Sequence, residues 1–225
     1  MNRTKIEYLD FTWNPIVGCS GLGCAVRDVC WARRQAKRQK QRCDLCYSFV
    51  PHFHKERLFE PMQRWKHAKI GVCFSGDLFD VEVQGEWRQA VLDSIRKTYW
   101  HTFICLTKQP QNIKQRLYPQ NLWIGVTVNT KNDLWRISYL TRDLKDCVDT
   151  KFVSFEPLLE DMGNCNLNGI NWVILGGQTR PKLLPKYDWI SSLRTNAYMS
   201  GCKVFLKNNL IPILGTNKPQ QEFPK

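Results

Sequence analysis

Five cysteines fall between residues 19 and 46, namely Cys19, Cys24, Cys30, Cys43 and Cys46. Thiolates spaced this closely along a loop can converge on one point, as metal or iron–sulfur ligation requires. Their spacing separates two sets. Cys19, Cys24 and Cys30 form C-x4-C-x5-C, whereas Cys43 and Cys46 form a C-x2-C pair followed by His52 and His54. A thiolate pair closing a tight turn beside two imidazoles suits a tetrahedral zinc site, although His52 and His54 stand closer together than in most finger-like sites. The alternative is that Cys43 or Cys46 completes or replaces the ligation by the first set. Taken singly, either histidine reads more simply as a surface or core residue. The other cysteines, Cys73, Cys105, Cys147, Cys165 and Cys202, are scattered, and Cys73 and Cys105 lie in apolar runs where a thiol behaves as a small hydrophobe.

Ten cysteines in a secreted chain would suggest a disulfide scaffold. The N-terminal MNRTKIEYLDFTW has no apolar core of signal-peptide length, and no apolar run approaches the roughly 20 residues of a membrane span. The expected compartment is a reducing cytoplasm without membrane association, where clustered thiols hold metal or do redox chemistry. A net charge of +13 and a pI near 9.4 favour polyanions and make nucleic acid the leading class of partner. The basic run Arg33, Arg34, Lys37, Arg38, Lys40 and Arg42 lies between the two cysteine sets. By itself such a run is a solvated helix face; its place here points to the mouth of the site.

The elements that must position these residues follow from periodicity. Short apolar strands are expected at Asn14–Gly18, Ile70–Ser75, Thr102–Thr107, Leu122–Val128, Phe152–Phe155, Trp172–Leu175 and Lys203–Leu206. Helical patterns at Glu86–Thr98, Asn132–Leu144 and Tyr187–Met199 lie between them. This alternation implies parallel βαβ units in an α/β fold, a complete or partial (β/α) TIM-type barrel of about six to seven strands, with an open sheet as the alternative. One domain over residues 1–214, a cysteine-rich insertion at about 19–58 and a tail at 215–225 complete the expected organisation. The C-terminal strand ends, where barrels place their chemistry, are polar or small: Cys19, Ser75-Gly76-Asp77, Thr107-Lys108, Thr127 and Asn129, Ser154 and Glu156, Gly176-Gly177, and Lys207. Glycines there admit close approach of a ligand, and Asp77, Lys108, Glu156 and Lys207 suit the charged ends of a cofactor. Trp87 and Trp172 read as core, whereas Trp13, Trp31 and Trp65 are candidates to stack on adenine or a nucleobase.

The segments Trp13-Asn14-Pro15, Gly18-Cys19, Gly23-Cys24, Cys30-Trp31-Ala32-Arg33, Pro51 to Leu58, Gly76 to Phe79, Leu106-Thr107-Lys108, Gly125 to Val128, Ser154 to Leu159, Trp172 to Gly177 and Phe205-Leu206-Lys207 together resemble the phage Gp37/Gp68 family, of DUF5131 type. The resemblance runs in order from about Lys5 to Asn209. Members have been treated as radical S-adenosylmethionine (SAM) proteins or their relatives, and the resemblance implies that chemistry. Cys19, Cys24 and Cys30 would ligate a [4Fe–4S] cluster, whose open iron would bind SAM. An electron donor protein would reduce the cluster, and the cofactors would do the difficult step. The usual radical SAM spacing is C-x3-C-x2-C, so this loop is longer. By position, Ser75, Gly76 and Asp77 correspond to the SAM-binding segment. Trp31 stands where relatives usually have tyrosine, and His54, Arg57 and Leu58 match a His-x-x-Arg-Leu motif. Thr127, Asn129, Gly176 and Gly177 are further candidate cofactor contacts, and Lys108, Glu156 and Lys207 are the candidate catalytic residues.

No G-x-S-x-G, P-loop or G-x-G-x-x-G is present, so hydrolase, nucleoside-triphosphatase and dinucleotide readings lack their loops. The expectations that remain are a radical SAM-like enzyme acting on nucleic acid or a nucleotide-derived substrate, a non-catalytic zinc-binding nucleic-acid protein, and a degenerate family member that keeps the barrel without SAM chemistry.

Overall fold

The computed structural model describes residues 1–224. The chain divides into two compact units, Met1–Ile124 and Gly125 onward. The architecture is mixed α/β. Eight strands form one mostly parallel sheet: β1 (Asn2–Arg3), β2 (Phe11–Trp13), β5 (Lys69–Val72), β6 (Thr102–Thr107), β7 (Leu122–Thr127), β8 (Lys151–Phe155), β9 (Trp172–Leu175) and β12 (Lys203–Leu206), in that order. Two antiparallel pairs stand apart, β3 (Ile16–Val17) with β4 (His52–Phe53), and β10 (Gln178–Thr179) with β11 (Lys182–Leu183).

In the first unit β1 runs antiparallel to β2, and β2, β5 and β6 are parallel. β5 and β6 are largely buried apolar runs, as expected of strands covered on both faces. Helix α3 (Gly85–Lys97) turns Val91, Leu92 and Ile95 inward, the face its apolar spacing anticipates. The short helices α1 (Trp31–Ala36) and α2 (Asp44–Ser48) belong to the cysteine-rich arm. In the second unit β8, β9 and β12 are parallel, with Phe152, Trp172 and Phe205 fully buried. Helix α5 (Tyr187–Met199) precedes β12, and α6 (Ile211–Leu214) follows it. The expected helix at 132–144 divides into a single-turn segment at Lys131–Asp133, α4 (Trp135–Ser138) and a π-helical turn at Tyr139–Asp143.

The first expected strand differs most. The sheet strand is Phe11–Trp13, because Pro15 has no N–H to give a ladder; beyond it the chain leaves the sheet and pairs with His52–Phe53 instead. Beyond α6, residues 220–223 return to the sheet. The Gln220 carbonyl accepts from Leu206 N–H, Glu222 N–H donates to Val204, and Phe223 packs against Trp172 and Phe205. No helix among the described residues is long and apolar enough to cross a membrane.

Candidate metal centre

The Cys43–His54 segment gathers four ligand atoms by two simple local devices. Cys43 is the N-cap of α2, where its thiol accepts from Cys46 N–H at 3.3 Å, and the helical turn brings Cys46 alongside it. Phe49 then adopts φ +61°, a left-handed residue that ends α2 and returns the chain toward β4. His52 opens β4 and His54 follows directly after it, so the alternation of extended backbone puts the two on the same side. The strand is fixed by pairing Val17 with His52 and Ile16 with Phe53, and by His54 N–H donating to the Pro15 carbonyl at 2.7 Å. Gly18 permits this approach: its φ is +85°, and a Cβ there would lie 2.4 Å from the Val50 carbonyl oxygen.

The ligand atoms of Cys43, Cys46, His52 and His54 all lie within 4.8 Å of one another. His52 Nε2 is 3.7 Å from Cys43 Sγ and 3.3 Å from Cys46 Sγ, His54 Nε2 is 3.3 Å from Cys46 Sγ, and the two Nε2 atoms are 2.8 Å apart. A tetrahedral zinc with Zn–S of about 2.3 Å and Zn–N of about 2.0–2.1 Å sets S···N edges of about 3.5 Å and an N···N edge of about 3.3 Å. The sulfur–nitrogen edges already match. The two imidazoles need only open by about half an ångström to admit the ion.

The outer partners decide what the ring nitrogens offer. His52 Nδ1 lies 2.7 Å from the Val50 carbonyl oxygen, and His54 Nδ1 lies 2.9 Å from Glu56 Oε1. A carbonyl and a carboxylate only accept, so both Nδ1 atoms carry the proton, and in neutral rings both Nε2 atoms present lone pairs to each other and to the thiols. Burial, then the Arg57 charge, holds His54 below the ordinary histidine value, which keeps that ring neutral. Burial, then the hydrogen bond and charge of Cys43, pushes the Cys46 thiol up to about 11 when no metal is bound. Four soft or borderline donors converging within 4.8 Å of one another could hold a cation. The carboxylate–histidine arrangement at Glu56 is the outer-shell support such ligands characteristically have. Glu56 is itself positioned by the single-turn helix Lys55–Phe59, where Arg57 donates to the Asn14 carbonyl and accepts from Trp13 Nε1–H.

The three-cysteine loop lies in the same unit. Cys19 and Cys30 pack on a small core of Ala32, Ala36 and Phe49, and Cys24 sits in a run of turns from Gly21 to Arg27. Burial, then the charge of Asp77, with Asp80 and Cys30 adding to it, pushes the Cys19 thiol up to about 12. Spacing alone gave no hint of what anchors this loop. Asp80, fully buried, accepts from Ser20 N–H, Ser20 Oγ–H and Gln109 Nε2–H at 3.0, 2.8 and 2.7 Å. The loop exit is held where Gly18 N–H donates to Ser75 and Gly18 bridges Gly76.

The strand-end residues take up particular internal roles. Asp77 is buried and accepts from Thr107 Oγ1–H, Lys108 N–H and Phe79 N–H; burial raises its pKa against those hydrogen bonds. The space a side chain would need at Gly76 is filled by the Gly18 backbone. In the second unit Lys207 is ion-paired to Glu156, and Gly176 leaves room for the stems of both. Asn209 closes on Gly177 through both its amide nitrogen and its oxygen. Thr127 gives its carbonyl to Arg136, and buried Asn129 donates to the Pro157 carbonyl while its Oδ1 has no partner. Trp13, a stacking candidate by sequence, is fully buried core, whereas Trp31 and Trp65 are exposed. Cys73, Cys105, Cys165 and Cys202 are buried packing residues, as their scatter anticipates.

The chain belongs to the DUF5131 family: the family model described as "Protein of unknown function (DUF5131)" matches residues 3–210. The match carries the family and no activity with it. Neither a curated protein nor a solved structure matches the chain.

Proposed function

We propose that this protein is a zinc-containing, nucleic-acid-binding metalloprotein, in which an ion held by Cys43, Cys46, His52 and His54 orders the basic arm that meets the polyanion. The observation that carries it is the convergence of the four ligand atoms within 4.8 Å of one another, with the two Nε2 atoms 2.8 Å apart. Two sulfurs and two imidazoles suit zinc rather than a hard cation, and a closed set of four ligands suits a structural ion. The arm the ion would tie down presents Arg34, Lys37, Arg38, Lys40 and Arg42 to solvent, immediately before Cys43. Contacts of this kind to phosphates release counterions, so binding would weaken steeply with salt. About one zinc per chain, with oligonucleotide binding lost on chelation and on neutralising the arm, is the expected result. A metal-free protein that binds as well as the zinc form would overturn it.

A second reading, a cytoplasmic radical SAM-like enzyme on a (β/α) barrel acting on nucleic acid or a nucleotide-derived substrate, is favoured by one observation. Cys19 and Cys30 pack on one small core while Asp80 pins the adjoining loop. Cys19, Cys24 and Cys30 would hold the cluster, whose reduced form supplies radical chemistry with SAM. Ser75 and Asp77, in the same unit, would lie beside the cofactor, with Lys108 as a catalytic partner. Iron and sulfide content after anaerobic purification, with deoxyadenosine release on reduction by an electron donor, tests this reading. Zinc without iron even after cluster reconstitution would leave the first reading alone.

A further inference from the structure

We propose that Trp65, Trp100 and Tyr99 form a base-stacking platform for single-stranded nucleic acid, a surface separate from the basic arm that extends the nucleic-acid reading above and rests on it. Trp65 is 83% exposed and Tyr99 77%, although both are large aromatics that folding normally covers. Trp65 lies nearly parallel to Trp100, with centroids 5.7 Å apart and planes 11° apart, and Tyr99 meets Trp100 edge-on. Trp100 is fixed from behind, its Nε1–H donating to the Arg64 carbonyl at 2.8 Å. Trp65 therefore has one face backed by an anchored ring, and its high exposure leaves the other to solvent. Such a preformed π-face costs little ordering on binding.

Charge around the platform selects the occupant. Lys66 and His67 follow Trp65 and are exposed, as are Arg96 and Lys97 just before Tyr99. Arg96 and Lys97 also suit the C-terminus of α3, whose dipole favours cations there; Lys66 and His67 have no helix end to serve. Of the acids close by in sequence, Asp93 is held by Arg96 at 2.7 Å and Glu60 is paired with the N-terminal amine. An aromatic face with the exposed cations Lys66, Arg96 and Lys97 adjoining it in sequence matches a strand whose bases are unstacked and whose phosphates run alongside, whereas a duplex hides its base faces. The platform sits at the N-terminal ends of β5 and β6, the opposite end of those strands from Asp77 and Thr107.

Fluorescence anisotropy with a labelled 15-nucleotide oligothymidylate tests this on the full zinc-loaded chain. Trp65→Ala should weaken binding by about 5- to 150-fold, the loss expected for one stacked base. Trp65→Phe should keep most of the affinity, and a blunt duplex of the same length should bind without responding to either change. Wild-type affinity in Trp65→Ala, while neutralising the arm still abolishes binding, would overturn the platform and leave the arm intact. No binding by the wild type even at low salt would remove both readings. Sedimentation showing that Trp65→Ala turns a dimer into a monomer with oligonucleotide affinity unmoved would assign the face to a second copy of the chain and overturn the proposal.

Discussion

Replacing His54 by alanine tests the metal centre where its geometry is most exacting. Structural zinc in finger peptides binds with about 10–16 kcal/mol, so one of four comparable ligands carries about 2.5–4 kcal/mol, or roughly 70- to 900-fold in Kd. His54 is half-buried, so water can take the vacated position and the loss should fall toward the lower bound. Glu56→Ala makes the companion measurement, because it removes no ligand and only frees Nδ1. Losing an outer-shell partner costs about 10- to 100-fold, and the 69% exposure of the Glu56 side chain places this one near tenfold. Zinc competition against a chromophoric chelator gives both constants. Cobalt substitution then reports whether the remaining set is still tetrahedral. The expected ranking is wild type, then Glu56→Ala, then His54→Ala. Equal affinities for His54→Ala and wild type, or a larger loss in Glu56→Ala than in His54→Ala, would show that the four side chains do not share one ion.

Three further outcomes follow from the same geometry. With the Cys46 thiol pushed up to about 11 in the metal-free form, zinc must displace its proton. Apparent zinc affinity should then rise by at least about tenfold per pH unit between pH 6 and 8, and isothermal titration in buffers of different ionisation enthalpy should count the protons released. Gly18→Ala puts a Cβ 2.4 Å from the Val50 carbonyl oxygen at φ +85°; the strain should cost about 2 kcal/mol or more in urea unfolding and weaken zinc binding with it. Asp80→Ala leaves Ser20 N–H, Ser20 Oγ–H and Gln109 Nε2–H without their acceptor. It should destabilise the first unit by about 2–4 kcal/mol, read as earlier hydrogen exchange in the Cys19 loop, with zinc affinity little changed.

The Cys43, Cys46, His52 and His54 group was readable from spacing because its devices are local. A C-x2-C pair at a helix start and an H-x-H pair on a strand each set geometry within a few residues, and turn and strand periodicity do the rest. Its supports were harder to see. The Val50 carbonyl is a backbone atom with no sequence signature, and Pro15 joins the site only because it ends one strand and sends the chain into another. Three of the expected strands, at 102–107, 172–175 and 203–206, coincide with β6, β9 and β12, since buried parallel strands read as continuous apolar runs. The helix at 132–144 is broken because Asp133 folds back to cap its own first turn and Arg136 is drawn inward to that carboxylate and to the Thr127 carbonyl. A polar pair within an apolar periodicity carries no sign of that in the sequence.

The strand ends show what polar residues in phase do for the fold, whatever else they do. Each one has hydrogen-bonding capacity, and the sequence displays the capacity but not its use. Asp77 spends both carboxylate oxygens on three donors, Asn209 spends its amide on the Gly177 backbone, and Glu156 and Lys207 neutralise each other. At Gly76 an added Cβ would meet the Gly18 backbone, and at Gly176 the stems of Glu156 and Lys207. A buried atom left over is what distinguishes a binding site from a finished core. Among the described residues of the first unit, Arg64 Nε and His101 Nδ1 are such atoms, whereas the Nε2 atoms of His52 and His54 each face the Cys46 thiol at 3.3 Å. In the second unit Asn129 Oδ1 is the comparable case, buried and without a donor. A cation gains most where several donors converge, and Cys43, Cys46, His52 and His54, whose ligand atoms lie within 4.8 Å of one another, are the group that could hold one.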